Sequence, residues 1–218
     1  ALDSEAVEAL QEELANLRQR VAGLEQAVLT PSQIAQQQAL LAVITKIRES
    51  LDLESIFQAT ATEVRQLLNA DRVGMFRFDP DSNFSDGEFV SEDALPKFGS
   101  ALAAKVRDRC FGDNHARYYQ NGYVWAASDI YEQGLSDCHL AILGRFQVRA
   151  NLVVPLHKGN QLWGLLCIHQ CSGPRQWQDN EIEFVNQIAL HLSVALQQAE
   201  LLAQAQQRST ELQTTLTA

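Results

Sequence analysis

Residues 150–170 read ANLVVPLHKGNQLWGLLCIHQ, and this stretch decides the fold. Ala150 to His157 and Gln161 to Gln170 are runs rich in Val, Leu and Trp, separated by Lys158-Gly159-Asn160. Branched and aromatic side chains suit a pleated surface, and a short Gly/Asn break between two such runs signals a hairpin. The pair is expected to be central to a sheet. C-terminal to it, Ile182, Val185, Ile188, Leu192, Ala195, Leu196, Ala199 and Leu202 keep helical spacing and then fade into a Gln-rich stretch. A helix of that length outruns the core of one domain. N-terminal to the hairpin, strand character begins at Arg72 with Val73, Met75, Phe76 and Phe78 and stops at Asp79-Pro80-Asp81, a turn-forming triplet.

The intervening segments carry weaker signals. Residues 79–100 read as irregular, with one short strand near Glu88-Phe89-Val90. Asn114 to Gln120 is helical in composition, Asn121-Gly122 is a turn and Tyr123-Val124-Trp125 is strand-like. Upstream, Ile34, Leu40, Leu41, Ile44, Ile47 and Leu51 are spaced for a helix, and Asp52-Leu53-Glu54 caps another that contains Ile56, Phe57, Val64, Leu67 and Leu68. At the start, Val7, Leu10, Leu14, Leu17, Val21, Leu24 and Val28 alternate steps of three and four, the seam of a coiled coil expected to dimerise, and Thr30-Pro31 ends it. The fold class is therefore α+β, with a coiled-coil helix at 1–30, a sheet domain at 31–200 and a continuing C-terminal helix at 201–218.

Composition excludes several functions. The net charge of −10, from 17 basic and 27 acidic residues, repels a phosphate backbone, so nucleic acid is not an expected partner. No run approaches the roughly 20 apolar residues of a membrane span, and the start lacks a secretory signal, so the expected location is cytoplasmic. The first residue is not Met and the last lies in mid-pattern, as in a fragment of a longer chain. Four cysteines, at 110, 138, 167 and 171, are too sparse for a disulfide scaffold and read as free thiols.

Two of those thiols sit in suggestive company. Asp108-Arg109-Cys110-Phe111 is followed, 28 residues after its thiol, by Cys138-His139. A thiolate attacks electron-poor carbon far better than a thiol, and neighbouring imidazole or carboxylate adjusts how much thiolate is present. Hydrolysis, redox exchange, metal binding and permanent attachment of a cofactor all fit that chemistry. A hydrolytic dyad of Cys138 with His139 is disfavoured, because adjacent side chains diverge on regular structure. Cys167, His169 and Cys171 share a strand face and are zinc-compatible, but structural zinc needs four ligands and no second pair follows. The plain reading of Cys167 and Cys171 is as small buried hydrophobes.

Over roughly residues 35–200 the order of helix, strand, cysteine-bearing insertion, hairpin and closing helix resembles a GAF domain. Within that family, four segments resemble a cyanobacteriochrome of the Asp-Xaa-Cys-Phe type. They are Asp108-Arg109-Cys110-Phe111, Cys138-His139, Arg149 through Pro155, and His169-Gln170 leading to Pro174-Arg175-Gln176-Trp177. The resemblance implies an antiparallel sheet backed by helices and flanked by long signalling helices, with a covalently held linear tetrapyrrole, phycocyanobilin or its isomer phycoviolobilin, in a pocket on the other face. It implies that Cys138 forms the thioether to the first ring and that His139 hydrogen-bonds near the ring nitrogens. Cys110 adds reversibly to the central methine carbon, dividing the conjugation and giving a blue-absorbing state, and its release restores a green-absorbing one. Asp108 accepts from pyrrole N–H groups in one state, His169 lies near the last ring's carbonyl, and Arg149 pairs with a propionate. Phe111, Tyr118, Tyr119 and Trp125 line the pocket. The module is then a sensor rather than an enzyme, a homodimer through its helices, driving an output domain in the same chain. A GAF domain for a small ligand such as a cyclic nucleotide, and a redox sensor that closes a Cys110–Cys138 disulfide, are the competing readings.

Overall fold

Six strands form one sheet in the order β3-β2-β1-β6-β5-β4, in a computed structural model that describes residues 13–20, 30–50, 52–102 and 104–216. The strands are β1 (Arg72–Phe78), β2 (Asp86–Ala94), β3 (Lys105–Arg107), β4 (Trp125–Ala127), β5 (Ala150–Lys158) and β6 (Gln161–Gln170), and every ladder between them is antiparallel. The hairpin expected at 150–170 is present, with β6 between β1 and β5. Lys158 pairs with Gln161, so the turn is Gly159-Asn160, and of these only Gly159 has positive φ, at 60°. That is the backbone of a type II′ turn, where glycine at the first central position carries no Cβ penalty.

The chain divides into two compact units, Ala1–Gln37 and Gln38–Ala218. In the first, residues 13–20 are helical (α1), with Leu14 and Leu17 exposed. The rest of the expected seam, Val7, Leu10, Val21, Leu24 and Val28, lies outside the described residues. Helix α2 (Pro31–Glu49) begins in this unit and ends in the second, where it buries Ala39, Val43 and Ile47.

In the second unit the two faces of the sheet do different work. One packs on α2, on α3 (Leu53–Leu68) and on α7 (Asp179–Leu216), burying Ile56, Val64, Met75, Leu152, Leu156, Leu166, Ile188 and Leu192. Helix α3 starts where Asp52 accepts from the backbone N–H of Glu54 and Ser55 at 3.3 and 3.2 Å, and it stops at Asn69, which adopts φ 49°. The opposite face carries a second apolar cluster, including Phe76, Phe78, Phe89, Val153, Leu165 and Cys167. It is covered by α4 (Arg109–Asn114), α5 (Ala116–Gln120) and α6 (Asp137–Arg145), the cysteine-bearing insertion. Residues 86–94 correct the expectation of an irregular segment with one short strand: β2 is nine residues long. Its outward positions are charged and paired across the sheet, Glu88 with Arg77 at 2.6 Å and Asp86 with Arg107 at 2.9 Å, which removed the apolar alternation a sequence reading looks for.

Asp71 ties the start of β1 to the end of β6. Its Oδ2 accepts from the backbone N–H groups of Cys171 and Ser172 at 2.8 and 2.7 Å and from Gln170 Nε2 at 3.0 Å. Burial alone would raise its pKa, but the hydrogen bonds from Ser172 and Cys171 outweigh it and hold the carboxyl below its ordinary value. A group depressed in the folded state stabilises above its unfolded pKa and loses that contribution as pH falls through the folded one. Asp71→Asn is therefore expected to lower stability by about 1–3 kcal/mol at neutral pH. In urea melts the difference from the parent protein should vanish in strong acid.

Candidate functional site

Between the sheet and its insertion lies a cavity of about 630 Å³, counting the part open to solvent. Its walls are largely aromatic: Phe76, Phe78, Phe84, Phe89, Phe111, Phe146, Tyr119 and Trp125. The polar groups are few and sit at defined places. Asp108 and His139 lie on the insertion side, and Asn151 and His169 on the sheet. A second pocket of about 360 Å³ shares Phe111, Tyr119, Trp125 and His139 with the first. These shared side chains border both spaces.

Asp108 caps α4, accepting from the Phe111 backbone N–H at 2.9 Å, while its other oxygen meets His139 Nδ1 at 2.5 Å. Burial opposes ionisation there, but the His139 hydrogen bond and charge prevail and keep the carboxyl low. The pair spans 31 residues of sequence and joins α4 to α6. Phe111 stacks on Tyr119 and on Phe78, with ring centroids 5.4 and 5.5 Å apart, so the Asp-Arg-Cys-Phe segment is held from both ends. Burial raises the Tyr119 pKa, which keeps its hydroxyl protonated.

Cys110 and Cys138 are joined as a disulfide, their Cα atoms 6.5 Å apart. Cys110 lies between the lining residues Asp108 and Phe111, and Cys138 directly precedes lining residue His139. Both sulfurs therefore stand together beside the cavity, one from α4 and one from the first turn of α6. Ser136 Oγ is 3.3 Å from Cys138 Sγ.

Other expected residues fall in different places. His169 lines the cavity from β6, Trp125 from β4 and Tyr119 from α5. Tyr118 is exposed and borders only the second pocket. Arg149 does not line the cavity: its Nε donates to Asp129 Oδ1 at 2.9 Å and its Nη2 pairs with Asp129 Oδ2. Cys167 faces the cavity fully buried, its pKa pushed up to about 12 by desolvation, which leaves an inert thiol. Among the described residues no group of three His, Cys, Asp or Glu side chains is placed to hold a metal ion.

Two features escaped the sequence reading. Arg72 is completely buried and holds the cavity-lining residues Phe146 and His169 from outside the lining. It donates to Glu92 Oε1 at 2.8 Å, to the Phe146 carbonyl at 2.7 Å and to the Gly99 carbonyl, and its Nη1 lies 3.5 Å from His169 Nδ1. The second is Asn151, 3% exposed, whose Oδ1 has no hydrogen-bond partner among the described residues.

The GAF domain model matches residues 52–196, which span the sheet, the insertion and the part of α7 packed on the core. The chain belongs to the GAF family. Among solved GAF structures, it is 38% identical to the blue-light absorbing form of the Thermosynechococcus elongatus PixJ GAF domain, with TM-score 0.66 over 71% of this chain and 90% of that one. It is 41% identical to GAF3 of Slr1393 from Synechocystis sp. PCC6803 in its photoproduct state, with TM-score 0.63 over 71% and 99%. The phycocyanobilin-bound GAF domain of a cyanobacterial phytochrome is 27% identical, with TM-score 0.69 over 76% and 96%. The circadian input-output histidine kinase CikA of Synechocystis sp. is 35% identical over 196 residues, 81% of this chain and 26% of that protein. The chain spans between 17% and 26% of the first curated relatives it matches. No helix among the described residues is long and apolar enough to cross a membrane.

Proposed function

We propose that this GAF domain is a photosensory module that holds a linear tetrapyrrole covalently and switches between a blue-absorbing and a green-absorbing form. The observation that carries the reading is the meeting of Cys110 and Cys138 beside an aromatic cavity that also presents Asp108 and His139. The residues present fit such a group: aromatic walls for a flat conjugated ligand, two sulfurs for attachment, and a buried acceptor on Asn151 left open. When bound, phycocyanobilin or phycoviolobilin supplies a conjugated chain with a light-isomerisable double bond. Cys138 fixes one end, so that motion elsewhere does work on the protein instead of tumbling the ligand. With the disulfide reduced, Cys110, held alongside by the Asp108–His139 bond, would be the sulfur that adds reversibly to the ligand's methine carbon, its thiol proton passing to a ring nitrogen and returning when the sulfur leaves. Asp108 is the bistable contact, bound to His139 or released to ring N–H groups. Arg149 reaches a ligand carboxylate only if its pair with Asp129 opens. The apolar residues Leu190, Val194 and Leu201 along the exposed face of α7 offer a dimer seam, and an output domain completes the sensor.

The disulfide favours one other reading, a redox sensor in which the two sulfurs answer to each other alone. One experiment separates the two. The reduced protein, co-produced with bilin-synthesis enzymes, is expected to be coloured, to carry a bilin-sized mass increment and to exchange a blue for a green absorption band under alternating light. A colourless chain lighter by two hydrogens after oxidation would instead establish the redox sensor.

A further inference from the structure

Asn151 on β5 and His169 on β6 are direct partners across the hairpin ladder, and both line the cavity at its sheet wall. Residues so placed have Cβ atoms about 4.5–5.5 Å apart, so their polar ends reach the same part of the ligand space. They are 3% and 2% exposed. Their hydrogen-bonding capacities are opposite. A guanidinium only donates, so the approach of Arg72 Nη1 to His169 Nδ1 makes that nitrogen the acceptor and leaves the proton of the neutral ring on Nε2. Burial and the Arg72 charge lower the His169 pKa to about 3, so the ring stays neutral and Nε2 stays a donor. Among the described residues the only hydrogen-bond contact of the ring runs through Nδ1, which leaves Nε2 free to meet a ligand. Beside it, the Asn151 Oδ1 acceptor is unpaired. Buried polar atoms are rarely left so, and an unmet one inside a ligand cavity marks where a ligand group belongs.

We infer that Asn151 and His169 form a lactam-reading pair: His169 Nε2–H donates to the carbonyl of the tetrapyrrole's terminal ring while Asn151 Oδ1 accepts the adjacent ring N–H. This rests on the tetrapyrrole reading above, and the new element is Asn151. A lactam presents N–H and C=O side by side on one edge, which is the complement of a donor and an acceptor on neighbouring strands. The terminal ring is then held at both edge atoms in one photostate and loses both contacts when it turns. Asn151 is a positioning residue that sets the thermal lifetime of that state.

Asn151→Leu tests this, because it replaces the open acceptor with apolar volume. In the pigment-free protein the substitution relieves an unmet polar atom, and the melting temperature is expected to rise by roughly 2–6 °C. In the pigmented protein the same change removes a contact, so the rise in melting temperature on pigment attachment should shrink. Thermal return from the photoproduct should change about tenfold in rate, the equivalent of one hydrogen bond. Both readouts are taken per attached pigment, with covalent yield read by zinc-enhanced fluorescence on denaturing gels. Equal melting shifts with and without pigment, together with an unchanged return rate, would sink the role of Asn151 and leave the photosensor intact. A parent protein that takes up no bilin would overturn both. Guanine carries the same donor–acceptor edge, so stabilisation of the parent by cyclic GMP, lost in Asn151→Leu, would overturn the choice of ligand.

Discussion

Cys138→Ala is expected to give a folded chain that keeps no pigment through denaturing electrophoresis. Cys138 is exposed, at the second position of α6, and packs in neither apolar cluster. Exposed substitutions of this kind change stability by about 0.5 kcal/mol or less, so circular dichroism and melting should match the reduced parent protein. The loss of zinc-enhanced fluorescence on the gel should be complete, since Cys110, the other sulfur beside the cavity, bonds only reversibly in the proposed cycle. Cys167 is buried with its pKa pushed up to about 12, and Cys171 lies against the Arg72 guanidinium and does not line the cavity. Pigment that survives denaturation in this variant would place the attachment elsewhere and refute the role given to Cys138. His139→Ala serves as a separate control, because it removes the Asp108 partner while leaving the sulfur.

Cys110→Ala should behave in the opposite way, retaining the attached pigment and losing the blue-absorbing state. Addition of a sulfur to the central methine divides the conjugated system, and without that sulfur only long-wavelength forms are available. The expected spectrum has no blue band in darkness or after any illumination, while the gel fluorescence matches the parent. A persisting blue band would show that the second sulfur is not the colour-determining nucleophile. The two variants together form an asymmetric pair, one controlling retention and the other colour. A simple redox pair predicts no such asymmetry, since either substitution abolishes the same disulfide.

Much of the fold was legible because its signals are local. The β5–β6 hairpin announces itself through two apolar runs about a Gly-Asn turn, and α7 through helical spacing sustained over many turns. The candidate site was partly legible, since Asp108, Cys110, Phe111 and Cys138-His139 stand out as residue types in short segments. What stayed hidden depends on partners far apart in sequence. Nothing near Arg149 indicates that Asp129 already occupies its guanidinium, 20 residues away. Nothing near Arg72 indicates a buried cation satisfied by Glu92 and two carbonyls from other loops. Asn151 is harder still to see in advance. A lone amide in an apolar strand is visible, but that its oxygen is unpaired is a property of the assembled cavity.

The sheet wall between the cavity and α7 is one strand thick. Along β5, Val153 looks into the cavity and Val154, the next residue, belongs to the core shared with α7. Helix α7 packs on β5 through its first turns, burying Phe184, Val185, Ile188, Leu192 and Leu196, and then continues to Leu216, with the side chains from Leu201 to Gln213 exposed. At about 1.5 Å per residue its 38 residues form a rod of roughly 57 Å. A rod clamped near one end converts a small tilt at the clamp into a displacement that grows with distance along it. From Leu196 to Leu216 the arm is about 30 Å, so a five-degree rotation of the clamped segment sweeps the far end through roughly 2.6 Å. Under the proposed function, the domain would act as a mechanical amplifier, with the cavity floor as its fulcrum and gain set by helix length rather than by the size of the movement at the ligand.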